Sequence, residues 1–277
     1  MRHKVRETYT NIALMNAGNL ILLGESLDKP AVADEGYRRL KNIVKRTLET
    51  GIFEYGSPTY YGVDIDDLCL IEAFCRRDEG RKQVQAMLEV FWTDIALNWF
   101  PASERLGGTH SRDYDYLHGV RGPLGKHLWY NGWIGGAPEG GAEAVYMALG
   151  RWRPPEKLFE MNRTRFPRLV RQSWGPEPTQ SRTHYVMKDV SLGSAAANYH
   201  NMDIPLSVDM AGDRLTPRCY FIPDCRNDPY GKVKILEGKG PHSKTLHMRP
   251  FWTAAQRTAD AIGLVLYRKE DMLNEAK

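Results

Sequence analysis

The run from Thr109 to Gly119 concentrates side chains that can transfer protons. It follows a double glycine and contains two His, one Arg, two Asp and two Tyr. Removal of a proton next to a carboxylate requires a cation or amide donor that neutralises the carboxylate, a base, and an acid that protonates the leaving oxygen. The cation could be Arg112 and the base His110. The acid could be Tyr114 or Tyr116.

The same run is also compatible with a polar structural loop, in which the aromatic rings pack and the Arg and Asp side chains pair. If the segment is helical, Ser111 caps it and Arg112 and Tyr116 share one face. If the segment is extended, Tyr114 lies on the same side as Arg112 and Tyr116 instead. The spacing alone leaves both arrangements open.

A second cluster, Glu54–Gly62, carries Tyr60 and Tyr61 at the predicted start of a helix. Aromatic rings can stack on the apolar faces of sugars while phenols hydrogen-bond to hydroxyls, which predicts substrate binding. The alternative is a packed helix entry. Because both clusters lie in glycine-bounded segments at helix entries, we hypothesise that one groove is lined by four side chains: Tyr60, His110, Arg112 and Tyr116.

A third cluster, Asn198–Asp203, lies just before a predicted strand. Here Tyr199 is a candidate for substrate binding and His200 is a second candidate base, which would complete a cleft between two domains. A single His in a strand loop can equally be structural. Trp129 and Trp133 are further candidates for glycan binding.

Composition limits the classes of function. The net charge is only +4, with Lys and Arg scattered, so the sequence does not favour nucleic-acid binding. Mild basicity suits an acidic polysaccharide or oligosaccharide as partner. No apolar run reaches the roughly 18 residues of a membrane span. No nucleotide, metal-protease or nucleophile-elbow motif occurs, and the four cysteines contain no CxxC, so neither a cofactor nor a metal is predicted.

The first hundred residues show helical periodicity in four segments. Their apolar faces contain Tyr9 to Leu20, Tyr37 to Leu48, Ile65 to Cys75 and Val84 to Trp99. The second segment stops at Gly51, the third starts at Ser57-Pro58, and Pro101 ends the fourth. Trp92 and Trp99 lie on an apolar face and are expected in the core. The Pro- and Arg-rich passage 151–178 is predicted to be a linker or long surface connection.

From about His184 the period of apolar residues changes to two, as in Ile204, Leu206 and Val208. Helices followed by strands predict an α+β chain with segregated layers. We therefore expect a helical, toroid-like domain over residues 1–178 and an antiparallel β-sheet domain over residues 179–277. Buried free thiols are expected for the cysteines.

The three clusters, in this order, resemble those of polysaccharide lyases built from an incomplete (α/α) toroid and an antiparallel β-sandwich, the heparinase II/III-like and alginate-lyase-like group. The segment Gly108–Tyr116 is similar to the small-residue loop before the helix that bears the acid tyrosine. Ser57–Tyr61 is similar to a helix entry of such toroids. Leu192–Asp203 resembles the opening strands of the sheet domain, where a further catalytic His or Tyr can lie.

Two features depart from that group. Its paired Asn-His on a toroid helix has no counterpart here, since Asn98 has no neighbouring His in the sequence. Four or five helices are also fewer than a full toroid requires, so Met1 resembles an internal point of a longer protein. No signal peptide is visible, but a segment of such a longer protein would be secreted or periplasmic.

The resemblance implies β-elimination of a uronic-acid polysaccharide, with tyrosine and histidine as acid and base and Arg112 neutralising the carboxylate. One alternative is an (α/α) glycoside hydrolase, in which two carboxylates about 5–10 Å apart do the acid-base work. Its candidates are six acidic residues: Glu54, Asp64, Asp66, Asp67, Asp113 and Asp115. Another alternative is a glycan-binding protein that does no chemistry.

Overall fold

A computed structural model describes residues 5–112, 122–136, 145–199, 203–212, 218–221 and 251–268. It contains two compact units. One, the helical unit, comprises Met1–Glu54, Pro58–Leu97 and Arg121–Thr164, and the other, the sheet unit, comprises Tyr55–Ser57, Asn98–Val120 and Arg165–Lys277. The chain is of the mixed α+β class, as its hydrophobic periodicities predict.

The helices of the described residues are α1 (Thr10–Ser26), α2 (Pro30–Thr50), α3 (Pro58–Phe74), α4 (Asp78–Asn98), α5 (Gly122–Tyr130), α6 (Val145–Leu149) and α7 (Glu156–Thr164). The four helices predicted in the first hundred residues are confirmed. Proline occupies the first position of α2 and α3, where no backbone donor is needed. Gly51 follows the last residue of α2, and its φ of 87° suits glycine.

Within the helical unit, α1 packs against α2 and α3, and α3 also packs against α5 and α6. Large side chains fill the space between the helices, with Trp92 and Phe91 fully buried. Cys69 and Cys75 are buried free thiols, as expected, whereas Cys219 of the sheet unit is exposed. No helix among the described residues is long and apolar enough to cross a membrane.

The sheet unit contains a five-stranded antiparallel sheet. In sheet order its strands are β4 (Arg168–Ser173), β5 (Ser181–Val186), β6 (Val190–Ala195), β8 (Leu206–Met210) and β9 (Arg218–Phe221). Three two-stranded pairs accompany it: β1 (Trp99–Phe100) with β2 (Arg105–Leu106), β3 (His110–Ser111) with β7 (Asp203–Ile204), and β10 (Phe251–Arg257) with β11 (Asp260–Leu266). All these pairings are antiparallel.

The expected linker over residues 151–178 is wrong, because this passage contains α7 and β4. The first strand of the sheet therefore begins at Arg168 rather than near His184. Its period of two is present, but the inward positions hold the polar residues Arg168 and Gln172 on either side of Val170. Because Leu169 faces outward and two of the three inward positions are polar, the strand gives no clear hydrophobic alternation.

Candidate active site

The sheet unit buries polar side chains on one face of its sheet. Buried polar residues occur on four adjacent strands: Arg168 on β4, Arg182 and His184 on β5, Ser191 on β6, and Ser207 and Asp209 on β8. Burial of a polar group costs free energy unless hydrogen bonds satisfy it. A sheet face with this composition is therefore unusual for a purely structural core, and it marks the candidate site.

The segment from Asn98 to Arg112 contacts this polar face at several points. Asn98 donates from Nδ2 to Oε1 of Gln172 at 2.9 Å. Arg105 lies 3.8 Å from a carboxylate oxygen of the buried Asp209. The guanidinium of Arg182 donates to the carbonyl of Thr109 at 3.5 Å.

Gly193 on β6 makes the close approach of this segment possible. A Cβ at that position would lie 2.5 Å from Cα of Gly108, which is closer than real side chains come to a backbone atom. Gly193 is the register partner of His184. The imidazole of His184 consequently lies against Gly107 and Gly108.

Parts of all three clusters singled out in the sequence meet within the sheet unit at Thr109–Arg112. From the second cluster, the Tyr55 carbonyl accepts a hydrogen bond from the Ser111 N–H at 2.9 Å. From the third, the Tyr199 hydroxyl lies 3.0 Å from Oγ1 of Thr109. β3 also pairs with β7, so His110 lies opposite Ile204.

Left-handed backbone marks the contact between the second cluster and the loop. Tyr55 and Arg112 have positive φ values of 60° and 55°, and Gly56 has a φ of 61°. The guanidinium of Arg112 lies over the Tyr55 ring, 4.6 Å from its centroid. The Arg112 carbonyl accepts a hydrogen bond from the Ser57 hydroxyl at 3.2 Å. Such backbone in non-glycine residues is costly and is concentrated at functional sites.

The tautomer of His110 follows from a hydrogen bond of its ring. It is buried, and its Nδ1 atom lies 3.1 Å from the carbonyl oxygen of Gly108. A carbonyl only accepts, so Nδ1 carries the proton and donates it. In the neutral ring Nε2 is then the basic nitrogen.

His184 is held neutral. Burial lowers its pKa to about 3, and the charges of Arg182, Arg168 and His110 act in the same direction. Its Nδ1 atom lies 3.1 Å from Oδ1 of Asn98. Although His184 is uncharged at neutral pH, the guanidinium groups of Arg182 and Arg168 that act on it are cationic, which suits an acidic ligand.

Arg168 contributes to this field from β4. Burial lowers its pKa to about 10, so it stays charged at neutral pH. Its guanidinium donates to the carbonyl of Trp99 and to that of Arg165, each at 3.1 Å, and it lies over the ring of Phe166. These partners are neutral.

The structure gives the remaining candidates different surroundings. Tyr199 is buried and stacks on Trp174 with 4.4 Å between the ring centroids. Tyr114, Tyr116 and His200 lie outside the described residues.

Four aromatic candidates, Tyr60, Tyr61, Trp129 and Trp133, belong to the helical unit. Tyr60 is buried, and the buried Tyr61 hydrogen-bonds through its hydroxyl to Asp94. Trp133 is buried and lies 5.4 Å from the ring centroids of both Trp92 and Phe159. Trp129 has 40% of its surface exposed, so among these four it is the ring most accessible to a sugar.

The acidic residues of the alternative hydrolase hypothesis also lie partly in the helical unit. Asp64 is fully buried, and burial raises its pKa well above the usual range, with the charges of Glu54 and Asp67 acting in the same direction. Burial, followed by the charge of Asp66, raises the pKa of Asp67 to about 7. Among the described residues no group of three or more His, Cys, Asp or Glu side chains could hold a metal ion.

Two of these acidic residues, Asp66 and Glu54, have polar partners within the helical unit. Asp66 binds Lys126 at 2.5 Å and lies 3.1 Å from Nε2 of His127. Glu54 is buried and accepts a hydrogen bond from the Asn11 N–H at 2.7 Å. Asp113 and Asp115, the other two candidates, lie outside the described residues.

Four residues of this site were not predicted from the sequence: Asn98, Gln172, Arg182 and His184. Asn98 ends α4, and for the other three the available signal was the spacing of polar residues in β4 and β5. Arg182 and His184 are two apart, as are Arg168 and Val170, so each pair shares one face of its strand. Without a hydrophobic partner face, that alternation could not be assigned to the interior.

Residues 2–129 are similar to a domain of unknown function, DUF8769. No curated protein and no solved structure matches the chain.

Proposed function

We propose that the protein is a polysaccharide lyase that cleaves an acidic, uronic-acid-containing polysaccharide by β-elimination. One observation carries the proposal: the loop with His110 and Arg112 lies on a buried sheet face where the charges acting on His184 are cationic. We further propose that the helical hairpins form part of an (α/α) toroid and that the sheets form a β-sandwich.

The chemistry follows from the residue types. A cation that binds the uronate carboxylate stabilises the negative charge that develops when the α-proton leaves. Arg112 has this role in the proposal. His110, with Nδ1 donating to Gly108, removes the proton through Nε2.

The electrons of the broken C–H bond form the new C=C bond, and the C–O bond to the leaving sugar breaks. The leaving oxygen takes a proton from Tyr114 or Tyr116, which remain candidates on sequence grounds. The base, the acid and the carboxylate-binding cation would thus come from one short stretch of chain.

The test is incubation of the full chain with a panel of uronic polymers, including alginate, polygalacturonate, hyaluronan and heparan sulfate. We expect one polymer to give new reducing ends together with the ultraviolet absorbance of a double bond conjugated to a carboxylate. Reducing ends without that absorbance, or binding without any cleavage, would overturn the lyase.

Each of these outcomes identifies an alternative. Hydrolysis is favoured by one specific observation, the pKa values of Asp64 and Asp67, which burial raises, because a carboxyl group that keeps its proton near neutral pH can act as a general acid. Binding without turnover would indicate a glycan-binding protein. The variant Asp67→Asn distinguishes the hydrolase from the lyase. It should abolish cleavage by hydrolysis and leave cleavage by β-elimination unchanged.

A further inference from the structure

A chain of three hydrogen bonds leads from Arg182 to His184 within the sheet unit. Arg182 donates from Nε to Oε1 of Gln172 at 3.1 Å. Asn98 donates from Nδ2 to the same oxygen at 2.9 Å. Oδ1 of Asn98 lies 3.1 Å from Nδ1 of His184.

Because Arg182 can only donate, this series of hydrogen bonds determines which ring nitrogen of His184 carries the proton. A guanidinium can only donate, so the atom of Gln172 that faces Arg182 must be its oxygen. The atom of Asn98 that faces the same oxygen must then be its amide nitrogen. The other end of the Asn98 amide is therefore an oxygen, and Nδ1 of His184 must carry the proton.

With Nδ1 protonated and the ring neutral, Nε2 of His184 carries a lone pair. This atom is buried, and it has no hydrogen-bond partner in the part of the chain that the structure describes. A buried acceptor without a partner is costly and calls for an explanation.

Gly107 lies beside this nitrogen. A Cβ at Gly107 would be 3.2 Å from Nε2 and 3.0 Å from Cε1 of His184, so a side chain there would crowd this edge of the ring. The Gly107 N–H donates to the Asn98 carbonyl at 3.0 Å, which ties Gly107 to the same residue that orients the imidazole.

We propose that His184 is a specificity-determining residue that accepts, at Nε2, a hydrogen bond from a hydroxyl of the acidic sugar, and that Arg182, Gln172 and Asn98 hold it in this acceptor form. The inference rests on the proposed function for its ligand class. The sugar must then present a free hydroxyl near its carboxylate. Substrates that lack that hydroxyl leave the buried acceptor unpaired and are rejected.

The tautomer is measured first, on the whole chain without ligand, with 15N-labelled histidine. The ring resonances of His184 are identified by their loss in His184→Gln and, independently, by their shift in Asn98→Leu. We expect a protonated Nδ1 and an unprotonated Nε2. A protonated Nε2 would overturn the inference, whether or not any polymer is cleaved.

The acceptor role is measured next, by titration with an unsaturated-end oligouronate and with the same oligouronate after O-methylation. We expect the free-hydroxyl form to bind about tenfold more tightly and to shift Nε2 while Nδ1 stays unchanged. Gly107→Ala should remove the shift, whereas Gly135→Ala should not, because no described atom lies within 4 Å of its added methyl group.

Equal binding of the two oligouronates, or an Nε2 resonance that does not move at the highest ligand concentration, would overturn the inference. Failure of the proposed function is a different outcome, the absence of an unsaturated product when the uronic polymers are incubated with the protein. An Nε2 shift without cleavage would keep the hydroxyl site and remove the lyase.

Discussion

Oδ1 of Asn98 lies 3.1 Å from Nδ1 of His184, although 86 residues separate them in the chain. Asn98 is the last residue of α4, and His184 lies in β5. Asn98 has no neighbouring His in the sequence, and the His that it contacts comes from the sheet.

The first prediction concerns the stability of this pair. Asn98→Leu keeps the approximate volume but removes the acceptor for His184 and the donor to Gln172. Leaving a buried donor unsatisfied costs about 1–3 kcal/mol, so the free energy of unfolding should fall by that amount. Urea unfolding measures it. Gln83→Ala, which removes an exposed amide 3.5 Å from Glu79, is the control and should change stability little.

The second prediction concerns the contact between Gly193 and Gly108. In Gly193→Ala the new methyl group would lie 2.5 Å from a backbone atom, so the loop or the strand must move. Overpacking of this kind costs about 1–3 kcal/mol. We expect a lower urea midpoint and loss of activity on whichever polymer is cleaved. Wild-type stability and activity in this variant, with Gly135→Ala as the reference, would contradict the close packing.

The sequence predicted the helical part of the fold well and the sheet part less completely. α1 to α4 were predictable because their apolar residues recur at helical spacing and proline or glycine marks several of their ends. β4 was missed because Arg168 and Gln172 occupy inward positions, where a hydrophobic pattern is expected.

Only part of the candidate site was predictable, because only some of its residues lie in clusters along the sequence. His110, Arg112 and Tyr199 stand in dense polar clusters that a sequence displays directly. His184 is an isolated histidine, and its hydrogen-bond partner Asn98 lies 86 residues away in the chain. Spacing cannot reveal a contact that only strand pairing and the path of the Gly107–Gly108 loop create.

The third prediction is that His184 lowers the free energy of unfolding as the pH falls below 6.5. Its pKa falls from 6.5 to about 3 on folding, so the unfolded chain binds a proton between these values and the folded chain does not. The contribution is fully present above pH 6.5 and is lost as the pH falls towards 3. His184→Gln cannot titrate, so its stability should fall less steeply in this window, by up to about 1.4 kcal/mol per pH unit. Identical slopes in urea titrations of the two proteins would contradict the shift.

The fourth prediction has the opposite sign and concerns Asp67 in the helical unit. Folding raises its pKa from 3.8 to about 7, so the folded chain keeps a proton that the unfolded chain loses. The contribution is fully present below pH 3.8 and is lost as the pH rises through 7. Asp67→Asn, which mimics the protonated form, should therefore become more stable relative to wild type as the pH rises from 4 to 7. Asp78→Asn, at an exposed position, is the matched control. A constant difference between the variant and wild type across that range would contradict the prediction.

The last prediction tests His110 as the base. Its Nδ1 atom donates to the Gly108 carbonyl, which leaves Nε2 as the nitrogen that can take a proton from the sugar. Proton transfer by a positioned side chain contributes about 100- to 10,000-fold in rate, so His110→Ala should lower kcat by that factor and leave KM nearly unchanged. Tyr114→Phe and Tyr116→Phe are assayed separately. The variant that removes the acid should lose kcat by a similar factor, and the other variant should lose little kcat. His184→Gln serves as the comparison, because loss of a hydrogen bond to substrate should appear mainly in KM. If His110→Ala retains wild-type kcat on the cleaved polymer, another group removes the proton and the assignment of His110 is wrong.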